Sequence, residues 1–247
     1  MEKPTFEVAR AVVARAVTTI NVDGRIYNAA LAGPTNWHIL RRADYGQGFR
    51  ESTFGENLDL VHAAYSNKES PEAQSIIDKT RGLLIGGDTA IIYTPELIIV
   101  SDFPKVGGNR ILMDENTLRA RLGSHEVKKV IFSDDLKVRA IPYEFAAEWQ
   151  DADEMRNNPF SIALTGDEEA PEKLAQIQEK IGKRGYVWAL SKGTKDEIRV
   201  PSLSGYADRL YLSGDGWGVL DDWQVCAWGT SLGRAVRREH AQPVTFK

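Results

Sequence analysis

Hydrophobic positions along the N-terminal third of the chain follow first a helical period and then a strand period. Apolar residues recur at spacings of three and four over residues 5–17, which predicts a helix there. Asp23-Gly24 predicts a tight hairpin turn between two short strands, because glycine tolerates the positive φ of such turns. Two further helices are predicted over residues 56–67 and, after the capping residue Ser70, over residues 71–81.

The middle of the chain combines short alternating runs with two more helical patterns. Apolar β-branched runs separated by turn residues predict hairpins over residues 89–102 and 128–142. Between them, Asp114 is a predicted cap for a short helix that ends at Gly123. An amphipathic helix is predicted over residues 171–181, where Gly182 would close it.

Strand patterns dominate the C-terminal half. The acidic, Asn-rich residues 151–158 are predicted to form an exposed loop, and residues 160–165 (FSIALT) a strand. Four short closing strands are predicted at YVWAL, EIRVP, RLYLS and QVCAW. Because strands do not alternate regularly with helices, the pattern predicts an α+β fold instead of a doubly wound parallel sheet.

Composition places the chain among ordinary globular proteins. Its 247 residues, 42% hydrophobic and 27% charged, are sufficient for the core of a single domain spanning residues 1–247. A net charge of -4 gives no basic footprint for nucleic acid, and no apolar run is long enough to span a membrane. Cys226 is the single cysteine, which excludes an intramolecular disulfide. We expect a soluble intracellular protein, although export by another route or assembly on a virus particle would leave no trace in the sequence.

The C-terminal part interleaves large aromatic residues with glycine and aspartate. It holds three of the six tryptophans, Trp217, Trp223 and Trp228. The residues between them follow neither a helical nor a strand period. Rigid aromatics among small polar residues suit a binding surface, because they provide contact area at low entropy cost. The alternative is a tryptophan-rich core that ends a β-rich domain, and composition alone does not decide between the two.

Two parts of the sequence carry a resemblance to a known family. The segment GFRESTFGENLDLVHAA resembles the helix entry of C-type-lectin-fold domains of the formylglycine-generating-enzyme type. The matching residues are Gly48, Phe49, Arg50, Thr53 and Glu56. The closing run from YVWAL to QVCAWGTSLGRAVR is similar to that group's final strands. Within the group, the variable proteins of diversity-generating retroelements match best.

This resemblance implies a C-type lectin fold with an insertion at about residues 86–143 and a variable, solvent-facing ligand-binding segment at about residues 204–228. In such a protein Trp217, Trp223 and Tyr211 would fix the backbone while neighbouring side chains contact the ligand. The implied ligand-binding residues are Tyr206, Asp208, Asp215, Gly216, Trp217, Gly218, Val219, Leu220, Asp221, Asp222, Trp223, Val225, Cys226 and Ala227.

Codon chemistry is consistent with that implication. Retroelements of this kind mutate template adenines, typically in AAY codons, which can become codons for glycine, aspartate, valine, leucine, cysteine or alanine. They cannot become codons for tryptophan or glutamine. All residues from Asp215 to Ala227 except Trp217, Trp223 and Gln224 are therefore reachable by such mutation. The three exceptions and Trp228 would be constant framework.

The sequence gives little support for catalysis. The four histidines, His38, His62, His125 and His240, lack metal-ligand spacing, and a copper site of the related oxidases would need a cysteine pair. We therefore expect no metal, no cofactor and no catalytic residue, and a non-enzymatic protein. The expected partner is a protein or another macromolecule, not nucleic acid or a membrane. The oligomeric state is open, with a monomer favoured.

Two alternatives remain at this stage. The first is a hydrolase or transferase with its site in the region from His38 to Glu56, where charged residues surround a histidine. The second is a structural protein, for example of a virus particle, in which the C-terminal aromatics are buried between subunits.

Overall fold

Three of the four β-sheets in the described residues pack around a buried helix, α2, and the fourth is the two-stranded pair of residues 105–107 and 110–112. The computed structural model describes residues 3–11, 17–35, 37–107, 110–194, 197–214 and 225–231. Along these residues the helices are α1 (Trp37–Leu40), α2 (Phe54–Ser66), α3 (Pro71–Gly82), α4 (Glu115–Arg119), α5 (Ala152–Arg156), α6 (Phe160–Thr165) and α7 (Ala170–Ile181). The strands are β1 (Phe6–Ala11), β2 (Val17–Val22), β3 (Arg25–Thr35), β4 (Phe49–Glu51), β5 (Thr89–Tyr93), β6 (Leu97–Asp102), β7 (Lys105–Gly107), β8 (Arg110–Leu112), β9 (Leu122–Val127), β10 (Val130–Ser133), β11 (Val138–Pro142), β12 (Trp149–Gln150), β13 (Gly185–Trp188), β14 (Glu197–Arg199), β15 (Ser202–Ser204), β16 (Tyr211–Ser213) and β17 (Val225–Ser231). The fold class is α+β, as predicted.

The first sheet combines the N-terminal strands with β17, the last strand of the described residues. Its order is β1-β2-β3-β17-β4, and every neighbouring pair is antiparallel. Strand β17 lies between β3 and β4, with Val225 opposite Thr35 and Gly229 opposite Glu51. The predicted turn at residues 23–24 connects β2 to β3, with both residues at positive φ.

The second sheet has the order β14-β5-β6-β11-β10-β9 and is antiparallel throughout. It contains both hairpins that the alternating runs predict, β5–β6 and β10–β11. Residues 86–143 supply every strand of this sheet except β14. That this range is an insertion stays a prediction.

The third sheet has the order β12-β13-β16-β15, and its central pair β13–β16 is parallel. Apolar residues of all three sheets meet α2, α6 and α7 in one core. Leu58 and Val61 of α2, for example, share this core with Val187 of β13 and Leu212 of β16. One face of the third sheet therefore packs on the core, and its other face is left for contacts outside the fold. Within the described ranges, no helix has the length and apolar character needed to cross a membrane.

The helices with clear capping signals form where the sequence predicts them. Thr53 caps α2 and forms a capping box with Glu56, so the helix begins at Phe54. Ser70 caps α3, in which Pro71 is the first residue. Gly182 ends α7 in the left-handed conformation.

The predicted N-terminal helix is wrong. Residues 6–11 form strand β1, which pairs with β2 from Phe6 opposite Val22 to Ala11 opposite Val17. The run Phe6-Glu7-Val8 also alternates with period two, so the sequence fits either structure. Pairing with β2 decides for the strand, and residues 12–16 lie outside the described ranges.

Residues 152–156 and 160–165 form two short helices, so the predicted loop and strand there are also wrong. Asp151 and Glu154 form a capping box that starts α5. The apolar run 160–165 is the buried helix α6, which Gly166 ends at φ 72°. A short apolar run does not distinguish a buried strand from a buried helix. Helix α4 ends at Arg119 instead of Gly123, which belongs to β9.

Arg139 of β11 is fully buried and connects four elements. Its guanidinium donates to the carbonyls of Ala163 and Leu164 at 2.9 and 3.1 Å, so it satisfies carbonyl groups at the end of α6. It also forms an ion pair with Asp102, which in turn accepts a 2.6 Å hydrogen bond from Thr89 Oγ1. The Thr89 hydroxyl accepts from the backbone N–H of Phe54, at the start of α2.

Glu51 and Asp88 are two buried carboxyl groups where the first sheet meets the second. Asp88 pairs with Arg41 at 3.0 Å, whereas neither carboxyl oxygen of Glu51 has a hydrogen-bond partner in the described part of the chain. Burial raises the pKa of Asp88 to about 6, against the opposing effect of Arg41. Burial, with the neighbouring Asp88 charge, raises the pKa of Glu51 well above its usual range, and Arg41 and Arg50 oppose the shift.

These raised pKa values predict that the protein loses stability as the pH rises. Both groups bind protons more tightly in the folded state, so their contribution is complete below the unfolded pKa values near 4 and is lost as pH rises through about 6 and beyond. Glu51→Gln should therefore raise the melting temperature at about pH 8, with a smaller effect at about pH 5. Glu96→Gln, at an exposed carboxylate, is the control. A wild-type stability that rises over this range would contradict the prediction.

Candidate ligand-binding face

The outward face of the third sheet is aromatic, because its strands alternate large rings with core residues. In β13 and β16, Val187 and Leu212 point into the core, while Tyr186 and Tyr211 lie opposite each other in the parallel register. Trp149 of β12 lies opposite Tyr186 on the other side. The rings of three strands are thus adjacent on one surface, the aromatic face.

Ring contacts connect the members of this face. Trp149 packs edge-on against Tyr186 at a centroid distance of 4.9 Å and against Tyr211 at 5.9 Å. Tyr186 packs edge-on against Trp188 at 5.7 Å. The guanidinium of Arg209 lies 4.9 Å from the centre of the Trp149 ring, within the range of a cation–π contact.

Much of this aromatic surface is in solvent. Trp149 is 38% exposed, Trp188 46% and Tyr206 67%. Beside these rings lies a hollow of about 210 Å³. Its lining consists of Leu84, Tyr186, Trp188, Ser202, Ser204, Tyr206, Tyr211, Leu212 and Ser213. An apolar, aromatic hollow with a few hydroxyl groups is typical of a binding site, since rings supply contact area and hydroxyls supply direction.

Within the predicted variable segment of about residues 204–228, the chain is anchored at Gly214 and again at Val225. Gly214 donates a 2.7 Å hydrogen bond to the carbonyl of Trp188, and its own carbonyl accepts from the Tyr93 hydroxyl at 2.9 Å. Further along, Val225 enters the first sheet opposite Thr35. The chain thus leaves from the aromatic face of one sheet and re-enters the centre of another.

The structure places some of the predicted ligand-binding residues and not others. Tyr206 lines the hollow, and Asp208 is exposed, 3.7 Å from Arg81 and 3.8 Å from Lys183. Residues 215–223 lie outside the described ranges, as do the side chains of Val225 and Cys226. That these residues bind a ligand stays a prediction.

Ala227 does not belong on a solvent-facing surface. It is fully buried in a cluster with Leu40, Tyr45 and Val200, among others. The reason is the position of β17, which lies inside the first sheet between two other strands. Ala227 therefore serves the core, which corrects its assignment as a contact residue.

Four residues of the aromatic face were missed from the sequence. Trp149, Tyr186, Trp188 and Arg209 were not among the expected site residues. The period-two placement of Tyr186 and Trp188 would have put both on one face of a strand. Which of the two faces is exposed depends on the helices that pack against the sheet. The local sequence pattern carries no information on that packing.

Because Trp188 is half exposed, truncating it should affect stability only moderately. Trp188→Ala is expected to lower the free energy of unfolding by about 1–2 kcal/mol, since much of the ring is already in water. Phe160→Ala, in the core, should lower it by about 3–5 kcal/mol. Urea denaturation of both variants measures the difference, and equal losses would contradict the exposed position of Trp188.

The helix-entry motif has a structural role that bears on the enzymatic alternative. Arg50 donates two hydrogen bonds to the Glu56 carboxylate, at 2.9 and 2.8 Å, and Glu56 also accepts from the backbone N–H of Thr53. This carboxylate is thus engaged in holding the start of α2. The side chain of His38 lies outside what the structure describes, so its role as a base gains no support.

The buried His62 also has structural surroundings. His62 is buried on α2, and its Nε2 lies 2.9 Å from the side-chain oxygen of Gln176 on α7. Burial lowers the pKa of His62. Within the described ranges, His, Cys, Asp and Glu side chains form no group of three or more suited to a metal ion.

Comparison with known proteins connects this architecture to a fold. No family model and none of the curated proteins compared matches the sequence. A solved structure from Nanoarchaeota, described as accommodation of massive sequence variation by the C-type lectin fold, is similar with a TM-score of 0.53. The alignment covers 80% of this chain and 94% of that chain, at 14% sequence identity. The chain has a C-type lectin fold. The fold that the sequence resemblance implied is thus confirmed, and the aromatic face is a surface of this C-type lectin fold.

Proposed function

We propose that this C-type-lectin-fold chain is a non-enzymatic binding protein whose C-terminal segment, at about residues 204–228, displays diversified side chains to a macromolecular ligand. The main support is the fold itself. The similar Nanoarchaeota structure accommodates massive sequence variation in the same fold. The resemblance of this sequence to variable proteins of diversity-generating retroelements points the same way.

Variation of this kind has a physical requirement that the described residues support. Side chains can vary only if they contribute little to folding, so the backbone on both sides of them must be fixed by other contacts. Gly214 is fixed by hydrogen bonds to Trp188 and Tyr93, and Val225 by its place in the first sheet. In the proposal, the side chains between them change without loss of these contacts.

The aromatic face gives the proposed site a constant part. Trp149, Tyr186, Trp188 and Arg209 lie outside the predicted variable positions or cannot arise by adenine mutagenesis, and they belong to the residue types that contribute most to binding energy. In the proposal, these residues supply affinity, and the neighbouring variable side chains supply specificity.

The proposal predicts that the segment can be converted into a source of new binders. A surface-displayed library would randomise seven positions, Asp215, Gly216, Gly218, Val219, Leu220, Asp221 and Asp222. Selection against a panel of unrelated proteins should yield specific binders, and adding Trp188→Ala to them should weaken binding. A library at exposed positions of β9, on the second sheet, is the matched control. If both libraries fold and the segment library yields no more specific binders than the control library, the proposed function is contradicted.

A further inference from the structure

A second hollow lies at the opposite end of helix α2 from its capping box and shares no lining residue with the aromatic face. It has a volume of about 440 Å³. Its lining consists of Lys3, Phe6, Tyr65, Ser66, Asn67, Lys68, Glu69, Ser70 and Lys180. Three lysines from three separate parts of the chain therefore converge on a hollow with two aromatic rings in its wall.

In the described part of the chain, none of the three ammonium groups lies within ion-pair distance of a carboxylate, and Lys180 donates to the hydroxyl of Ser66 at 3.0 Å. Burial, together with repulsion from Lys3 and Lys68, lowers the pKa of Lys180, and Glu179 opposes the shift. The one carboxylate of the lining is the exposed Glu69. The hollow thus gathers three ammonium groups against a single lining carboxylate.

The N-terminal residues that carry Lys3 are held in place. Thr5 donates to the Asp23 carboxylate from both its backbone N–H and its hydroxyl, at 2.9 and 2.8 Å. The side-chain amide of Asn67 donates to the carbonyl of Pro4 at 3.4 Å. Lys3 is therefore fixed next to the turn that carries Lys68.

We propose that this lysine hollow binds a phosphate ester, with the phosphoryl group among Lys3, Lys68 and Lys180 and the organic part against Phe6 and Tyr65. Lysine is a compact point charge that suits phosphate, whereas planar carboxylates are matched better by the fork of arginine, which this lining lacks. The volume lies within the range of about 300–1,000 Å³ that small-molecule sites occupy, and it exceeds the needs of a bare ion. The ester can be a soluble molecule or a lipid headgroup.

Calorimetric titration of the full chain with pyrophosphate and with inositol trisphosphate tests the proposal, with citrate as a carboxylate of similar charge. The phosphates should bind more tightly than citrate. Lys68→Met and Lys180→Met should each weaken phosphate binding by about tenfold, which corresponds to about 1.4 kcal/mol. Lys192→Met, at an exposed lysine outside the hollow, should leave it unchanged. Vesicles of phosphatidylcholine, with and without phosphatidylinositol bisphosphate, separate the two sources, since binding to the phosphorylated vesicles alone assigns the headgroup.

Stability without ligand separates binding from a structural role. Because the three ammonium groups repel one another, each methionine variant should melt at the same temperature as the wild type or higher. The proposal would be overturned if citrate bound as tightly as the phosphates or if no phosphate probe bound. It would also be overturned if Lys192→Met weakened phosphate binding as much as the hollow variants do. A lower melting temperature in both hollow variants would overturn it as well. None of these outcomes bears on the aromatic face.

Discussion

Replacing Arg139 with methionine is expected to lower the free energy of unfolding by about 3–5 kcal/mol. The substitution leaves the mostly buried Asp102 carboxylate without its cation and removes the donors to the carbonyls of Ala163 and Leu164. Methionine fills much of the arginine volume, so the loss reports on charge and hydrogen bonding more than on a cavity. Urea denaturation monitored by tryptophan fluorescence measures it.

Arg121→Met is the matched control for this prediction. Arg121 also pairs with an aspartate, Asp135, at 2.9 Å, but both side chains are more than 40% exposed. Exposed pairs contribute at most about 1 kcal/mol, so the control should lose little. Adding Asp102→Asn to Arg139→Met should restore part of the lost stability, because the unpaired charge is removed. Similar losses of unfolding free energy for the Arg121 and Arg139 variants would show that the Arg139 network does not connect the second sheet to α6 as described.

Gly214→Ala is expected to lower the free energy of unfolding by about 1–3 kcal/mol, although it adds a single methyl group. A Cβ atom at this position would overlap the Phe160 ring and lie 2.7 Å from the Tyr93 hydroxyl. Both rings are fully buried, so neither can move aside easily. The variant should also weaken binding by any protein selected through the variable segment, since Gly214 sets the path by which the chain enters it.

Gly82→Ala is the control for that substitution. Gly82 is the last residue of α3, and a Cβ atom there would meet nothing within 4 Å. Alanine favours helix more than glycine does, so the control should be neutral or stabilising. Equal destabilisation by the two alanine variants would contradict the close packing of Gly214.

The parts of the fold that could be predicted from the sequence are those with local determinants. Thr53 and Ser70 cap their helices through hydrogen bonds within four residues, and Asp23-Gly24 forms its turn through its own φ angles. The segments that could not be predicted depend on distant partners. Residues 6–11 become a strand through pairing with β2, and residues 160–165 become a helix whose last carbonyls accept from Arg139.

The candidate site also has parts that could be predicted from the local sequence and parts that depend on distant partners. Composition directs attention to the C-terminal aromatics, and Tyr206 does line a hollow on the surface. The contributions of Trp149 and Arg209 arise because β12 lies next to β13, a pairing between segments 35 residues or more apart in the chain. No period within either segment reveals this neighbourhood. Ala227 shows the converse, since its small side chain suits a variable position but its strand lies inside a sheet.

The central claim is that the segment after Gly214 varies without cost to the fold, and the melting temperatures of segment variants test it most directly. Substitutions of Val219, Asp221 and Asp222 by residues of different size and charge should hardly shift the melting temperature. The corresponding change in the free energy of unfolding should stay within about 0.5 kcal/mol. Gly214→Ala, measured beside them, should clearly lower the melting temperature. Destabilisation by the segment substitutions as large as that of Gly214→Ala would contradict the account.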